Sequence, residues 1–212
     1  MPPTPDELMV IRAELARRDP ALAHAHEVTP PFAWRVRPGG FAGLAWMIVG
    51  QQVSTASAAA IWSRVEAGLG EVAPERVAAA EIEALRALGL SLPKARYLHA
   101  IAEAHTAGRV DFDRLERLSD EEAVARLTAI KGVGRWTAET YLMFCEERVD
   151  VFPGGDVALQ EAMRWADRSD LRPSEKQAYA RAEAWRPWRS VAAHLLWAWY
   201  GGVRRGEITQ HP

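Results

Sequence analysis

Almost every stretch of this sequence carries the three- to four-residue apolar period of a helix, and almost none reads as strand. Leu8, Ile11 and Leu15 recur at that spacing behind a Pro-Asp start. An Ala-rich segment from Ser54 to Leu69 closes on Gly68 and Gly70. Further helical patterns run over Pro74–Ala80, Glu81–Leu88, Leu92–Thr106 and Asp120–Ala129, the last opened by Ser119 and Glu122 as a capping box. Others follow near Arg135–Glu147, Asp156–Ala166, Ser174–Trp185 and Trp188–Tyr200. Only Phe32 to Val36 alternates, and that run is short and bounded by prolines. The expected fold class is all-α.

Composition narrows the setting. With 49% apolar and 25% charged residues in 212, the chain can bury a sizeable core and does not read as disordered. Its one cysteine, Cys145, excludes an internal disulfide and any four-Cys zinc or iron–sulfur site made by this chain. The longest uncharged apolar run, about Phe41 to Gly50, falls far short of the roughly 18 residues that span a bilayer. The opening MPPTPDEL lacks the basic and apolar regions of a signal peptide, so a soluble cytoplasmic protein with no membrane partner is expected.

Two stretches carry chemistry. In Leu127-Thr-Ala-Ile-Lys-Gly-Val-Gly-Arg-Trp-Thr-Ala138, one helix ends, Gly132-Val133-Gly134 turns, and a second helix begins near Arg135. Glycines permit close backbone approach, and the free amides of a helix start attract an anion such as a nucleic-acid phosphate. Taken alone, the turn reads first as an ordinary αα-hairpin with a glycine turn, which is common. Some twenty residues on, Pro153, Gly154 and Gly155 break the chain and leave Asp156 at a helix N-terminus. Cap bonds and the helix dipole both favour negative charge there. Alone, Asp156 reads first as a cap, the commonest use of aspartate at such a position, and Asp150 is its rival carboxylate.

Together these segments resemble the helix–hairpin–helix, Gly/Pro loop and aspartate signature of the helix–hairpin–helix DNA glycosylase superfamily. The resemblance spans about Phe41 to Trp199, and the hairpin about 127–147. It implies two helical lobes, 1–40 with 150–212 and 41–149, with a DNA cleft between them. Asp156 matches the catalytic position. Gly132, Val133, Gly134, Arg135 and Thr137 match the DNA-binding hairpin; Lys131 departs from it, where many members have proline, and puts one more positive charge near the DNA. The main-chain carbonyls of Thr128, Ile130 and Val133 match its site for a structural Na+ or K+. No cofactor for catalysis and no iron–sulfur cluster are expected. Ile48-Val-Gly-Gln-Gln-Val-Ser54 is similar to the family's loop that enters the duplex, which makes Gln52, with Gln51 beside it, the candidate plug.

The alkylation-repair branch, 3-methyladenine DNA glycosylase II, is the nearest match, in a short form without the N-terminal β domain of some members. Bifunctional relatives place a lysine where this chain has Trp136, so a monofunctional enzyme that leaves an abasic site is implied. Alkylated purines already carry positive charge and leave as neutral bases, so one carboxylate suffices. A Trp-lined pocket rewards such a cation by about 0.5–2 kcal/mol. Trp136 and Trp197 match pocket aromatics, and Trp34 is a third candidate for the wall. Trp185-Arg-Pro-Trp-Arg-Ser190 resembles the start of the branch's C-terminal helix, with Arg189 expected on an aspartate or on DNA. Trp46, Trp62 and Trp165 are expected in the core, His194 as a satisfied core histidine, and Cys145 as a buried apolar residue.

The expected partner is damaged double-stranded DNA, bound by a monomer. A pI near 6.3 is low for such a role, and a local face of Lys94, Arg96, Lys131 and Arg135 would supply the attraction. Two alternatives remain: a glycosylase for another damaged base, and a non-catalytic helix–hairpin–helix module that only holds DNA.

Overall fold

The computed structural model describes residues 2–210, and among these it contains helices and no strand. Twelve α-helices follow in order: α1 Pro5–Arg18, α2 Ala23–Val28, α3 Gly40–Gly50, α4 Thr55–Leu69, α5 Pro74–Ala79, α6 Ile82–Ala87, α7 Leu92–Thr106, α8 Asp120–Thr128, α9 Arg135–Phe144, α10 Val157–Ala166, α11 Glu175–Ala182 and α12 Arg189–Arg204. Short 3-10 turns at Pro20–Leu22, Phe112–Arg117 and Glu183–Trp185 connect them. The chain divides into a terminal unit, Met1–Val36 with Glu147–Pro212, and a central unit, Arg37–Glu146.

Helix starts follow from local chemistry. Complete capping boxes join Thr4 to Glu7, Ser119 to Glu122 and Ser174 to Gln177. Ser54 and Ser91 cap α4 and α7 with their hydroxyls. In the central unit α3 is the core element: Leu44, Ile48 and Val49 are fully buried, and it packs on α4, α7 and α9. Because α3 is apolar on every face, it lacks the one-sided period that marks an amphipathic helix. The sequence pattern therefore shows it only as an apolar run. In the terminal unit α12 is the counterpart, buried from Val191 through Leu196 and packed on α1, α2 and α10.

Two departures shape the site. Phe32–Val36 forms no strand, since no second strand pairs with it, although its alternation is real: Trp34 is buried and Phe32 half-buried, while Ala33 and Arg35 face out. And α1 buries Arg12, which is 1% exposed, where an apolar residue would be expected. Its guanidinium donates to the carbonyls of His26 (3.1 Å), Thr29 (2.8 Å) and Pro30 (3.3 Å), and lies over the Phe32 ring. Arg12 thus terminates α2 and fixes the extended segment that carries Trp34.

Candidate nucleic-acid interface and catalytic carboxylate

In the central unit the hairpin is held from behind. Gly132 sits at φ +95°, and a Cβ there would come within 2.2 Å of the Tyr97 ring on α7. Both facts require glycine. Val133 turns inward, 4% exposed, and its N–H closes the turn on Ile130 O at 3.1 Å. Gly134 then starts α9 in extended backbone with no side-chain cap. The first-turn amides of α9 therefore keep the partial positive charge that suits an anion.

The side chains around this turn divide differently from expectation. Lys131 is exposed, but Arg135 runs back along its own helix to the buried Glu139 at 2.9 Å. Thr137, expected on DNA, is 4% exposed and accepts the Gln51 side-chain N–H at 3.2 Å. A hydroxyl in that position ties the loop to the helix. Gln51 is accordingly half-buried and anchored. Gln52 is exposed at φ +55°, a left-handed backbone that costs a non-glycine residue about 1 kcal/mol or more. Of the two glutamines, the strained tip is Gln52. Lys94 is not displayed either: its ammonium donates to Val49 O at 2.8 Å, capping the end of α3, and burial lowers its pKa.

In the terminal unit Asp156 caps α10. Its Oδ1 accepts the Leu159 N–H at 2.9 Å and the Trp197 indole N–H at 3.1 Å. The loop before it is stitched to α12: the Ser190 hydroxyl donates to Val151 O at 2.7 Å and accepts Val151 N–H at 3.0 Å, and Ser190 N–H donates to Val149 O at 3.0 Å. Gly154 leaves no room for a Cβ against the Tyr179 ring, 2.9 Å away, and its carbonyl accepts the buried Gln160 side chain at 2.8 Å.

Asp150, the rival carboxylate, is spent on structure. It binds Arg189 at 3.0 Å and Arg186 at 2.9 Å. Of the two partners expected for Arg189, an aspartate or DNA, the structure shows the aspartate. Its side chain is 10% exposed and its guanidinium is engaged by Asp150 and, at 3.0 Å, by Glu183. With that fork turned onto protein carboxylates, Arg189 fastens the start of α12 to the loop that leads to Asp156.

Aromatic rings line the approach to Asp156 within the terminal unit. Trp34 stacks on His194 with centroids 4.2 Å apart, and His194 meets Trp197 edge-on at 5.9 Å. The His194 Nδ1 lies 2.8 Å from Ser190 O, and burial pushes its pKa down to about 4. The imidazole is therefore neutral at physiological pH and serves as packing between two tryptophans. Trp34 and Trp197 thus share one wall through a ring the sequence marks only as core. Trp165 is in the core as expected, against Trp199 and Tyr200. Cys145 is half-buried, its thiol pushed up to about 12 mainly by burial.

Trp136, in the central unit, is 42% exposed on the first turn of α9. It borders a cavity of about 550 Å³ together with Trp46, Gln51, Gln52 and Thr137. Trp46 therefore lines a cavity and is only half-buried, contrary to its expected place in the core. Its apolar setting on α3 reads as core from sequence, and only the open groove beside α9 shows otherwise. Among the described residues no cluster of three or more His, Cys, Asp or Glu is arranged to hold a metal ion. Among the described residues no helix is long and apolar enough to cross a membrane.

The fold and these motifs define a class, and comparison with known proteins agrees. The model of the HhH-GPD superfamily of base excision DNA repair proteins matches residues 45–188, and the chain belongs to that family. It is 36% identical over 154 residues to DNA-3-methyladenine glycosylase 1 of Schizosaccharomyces pombe, spanning 71% of this chain and 68% of that one. Among solved structures, DNA-3-methyladenine glycosidase from Bacillus halodurans superposes with a TM-score of 0.81 at 34% identity, covering 90% of this chain and 89% of that one. The S. pombe 3-methyladenine DNA glycosylase in complex with abasic DNA gives 0.76 at 30% identity, covering 88% and 94%.

Proposed function

We propose that this protein hydrolyses the N-glycosidic bond of alkylated bases, of the 3-methyladenine and 7-methylguanine type, in duplex DNA. The observation that carries the reading is Asp156, fixed at the start of α10 by the Leu159 amide and the Trp197 indole, in a family of base excision repair proteins. Breaking the bond builds oxocarbenium-like charge on the sugar, and a pre-oriented carboxylate beside it stabilises that charge at no reorganisation cost. It can also align the attacking water. A base that leaves as a neutral molecule needs no separate acid.

The remaining parts follow from base extrusion, which costs a few kcal/mol of unstacking. Gln52, already strained at an exposed tip, would fill the vacated stack, with Gln51 holding the loop to Thr137. Lys131 and the amides of Gly132 to Arg135 would grip the phosphate backbone without reading sequence. The carbonyls of Thr128, Ile130 and Val133 suit a monovalent cation, which would add positive charge at the turn. Ile130 O already accepts one N–H, and a carbonyl has a second lone pair to give. Trp136, Trp197 and Trp34 would favour a cationic base through their ring faces. Trp136 offers no amine for a Schiff base, so the product is an intact abasic strand.

The test uses duplexes carrying 7-methylguanine or 3-methyladenine, with wild type and Asp156→Asn. Scission only after alkali, dependent on Asp156, is the expected result. Scission without alkali would refute the monofunctional assignment. Absence of abasic sites with both lesions would refute the substrate class.

A further inference from the structure

Arg37 belongs to no motif, yet its surroundings give it a defined task. It lies in the extended stretch just before α3, where its backbone N–H donates to Phe144 O at 2.8 Å. Its guanidinium carbon sits 3.8 Å from the centroid of the Trp46 ring. The side chain is exposed, and no carboxylate pairs with it among the described residues. That is unusual here, because acids outnumber bases 28 to 26 and many arginines are engaged, as Arg17, Arg86, Arg164 and Arg181 show.

A guanidinium laid flat on an aromatic face keeps its N–H edge directed sideways, as a fork already oriented for an oxyanion. Arg37 and Trp46 border the same cavity as Gln52, Gly134 and Trp136. The strained tip of the glutamine loop, the uncapped start of α9 and an unneutralised guanidinium therefore face one space.

We propose that Arg37, held over the Trp46 ring, is a phosphodiester contact that clamps a phosphate of the damaged strand beside the nucleotide Gln52 displaces. Trp46 is its positioning residue. Phosphate is favoured over a base carbonyl because the guanidinium is exposed at the rim. Reading a base edge would need a desolvated donor. The assignment rests on the reading that the loop and hairpin face DNA.

The experiment is equilibrium binding to a lesion-free duplex and to one carrying a stable abasic-site analogue, across roughly 50 to 200 mM salt. Wild type is compared with Arg37→Gln, Arg37→Lys and Trp46→Leu. Arg37→Gln should weaken both duplexes equally, about three- to tenfold at low salt, and flatten the salt slope by about one. Arg37→Lys and Trp46→Leu should keep the slope but lose part of the affinity, since the charge stays and the flat fork is gone. An unchanged slope in Arg37→Gln would overturn the proposal. So would a loss confined to one lesion in parallel base-release assays, which would make Arg37 a base reader. Thermal melts of the Arg37 variants should lie close to wild type, because that side chain is exposed, whereas Trp46→Leu removes a half-buried ring and should melt lower; if Arg37→Gln fails to fold, a steep slope with reduced affinity in Arg37→Lys still decides. The readout is binding, so a wild type that binds but releases no base would sink the glycosylase reading alone.

Discussion

Helices α9 and α10 are each ten residues long and each entered through a glycine-bearing turn, yet they present opposite charge at their N-termini. At α9 the cap is Gly134, which has no side chain, so the helix offers bare amides. At α10 the cap is Asp156, whose carboxylate accepts the Leu159 amide and adds a negative charge. One end suits a phosphate and the other a developing sugar cation. A single change of capping residue reverses the charge that the helix start offers, with the same backbone device beneath both. The supports differ as well. The α9 turn is fixed by sterics, Gly132 against Tyr97, whereas the α10 loop is fixed by polar groups from α12.

The comparison can be broken from either side. Asp156→Asn should have the largest effect. Asparagine caps a helix as well as aspartate, so melting should hold while single-turnover base release falls by about 10²–10³-fold. A matching loss of stability would mean that Asp156 is only a cap. Next is Arg189→Met, which removes the cation from a half-buried pair and should cost about 2–4 kcal/mol in urea unfolding. Its DNA salt slope should equal wild type, and a flatter slope would restore Arg189 to the interface. Gly132→Ala should cost about 2–3 kcal/mol, from the positive φ and the overlap with Tyr97. An unchanged midpoint would show that α7 does not brace the turn. The smallest effect is the most pointed. Gly134→Asp gives α9 the cap that α10 has, in backbone already extended and with nothing within 4 Å of the new Cβ. Stability should rise by a few tenths of a kcal/mol, about the advantage of aspartate over glycine at a cap. DNA affinity should fall about tenfold as the carboxylate opposes phosphate, roughly 1.4 kcal/mol. Unchanged affinity would remove the α9 amides from the interface.

Much of this contrast is legible in the chain because capping is local. Ser119 and Glu122, Gly134 and Arg135, and Asp156 after Gly154-Gly155 act within three or four residues, and their spacing reports the structure directly. The apolar α3 is the exception that proves the dependence on one-sided period, since a helix apolar all round carries no such signal.

What the sequence determined by itself was the helical class, nearly every amphipathic helix, the hairpin turn and the aspartate at a helix start. All are set by neighbours in the chain, through φ preference, cap bonds and apolar period. The tertiary structure decided which of the similar residues do which job. Asp150 and Asp156 are six positions apart in one loop, but Arg189 takes the first and Trp197 holds the second. Gln51 and Gln52 are adjacent, but Thr137 anchors only the first. Arg12 and Trp46 likewise owe their roles to Thr29 and Arg37, which other segments bring to them. Those partners lie from nine to 86 residues away along the chain. Their encounter depends on how helices pack, and local spacing does not encode it.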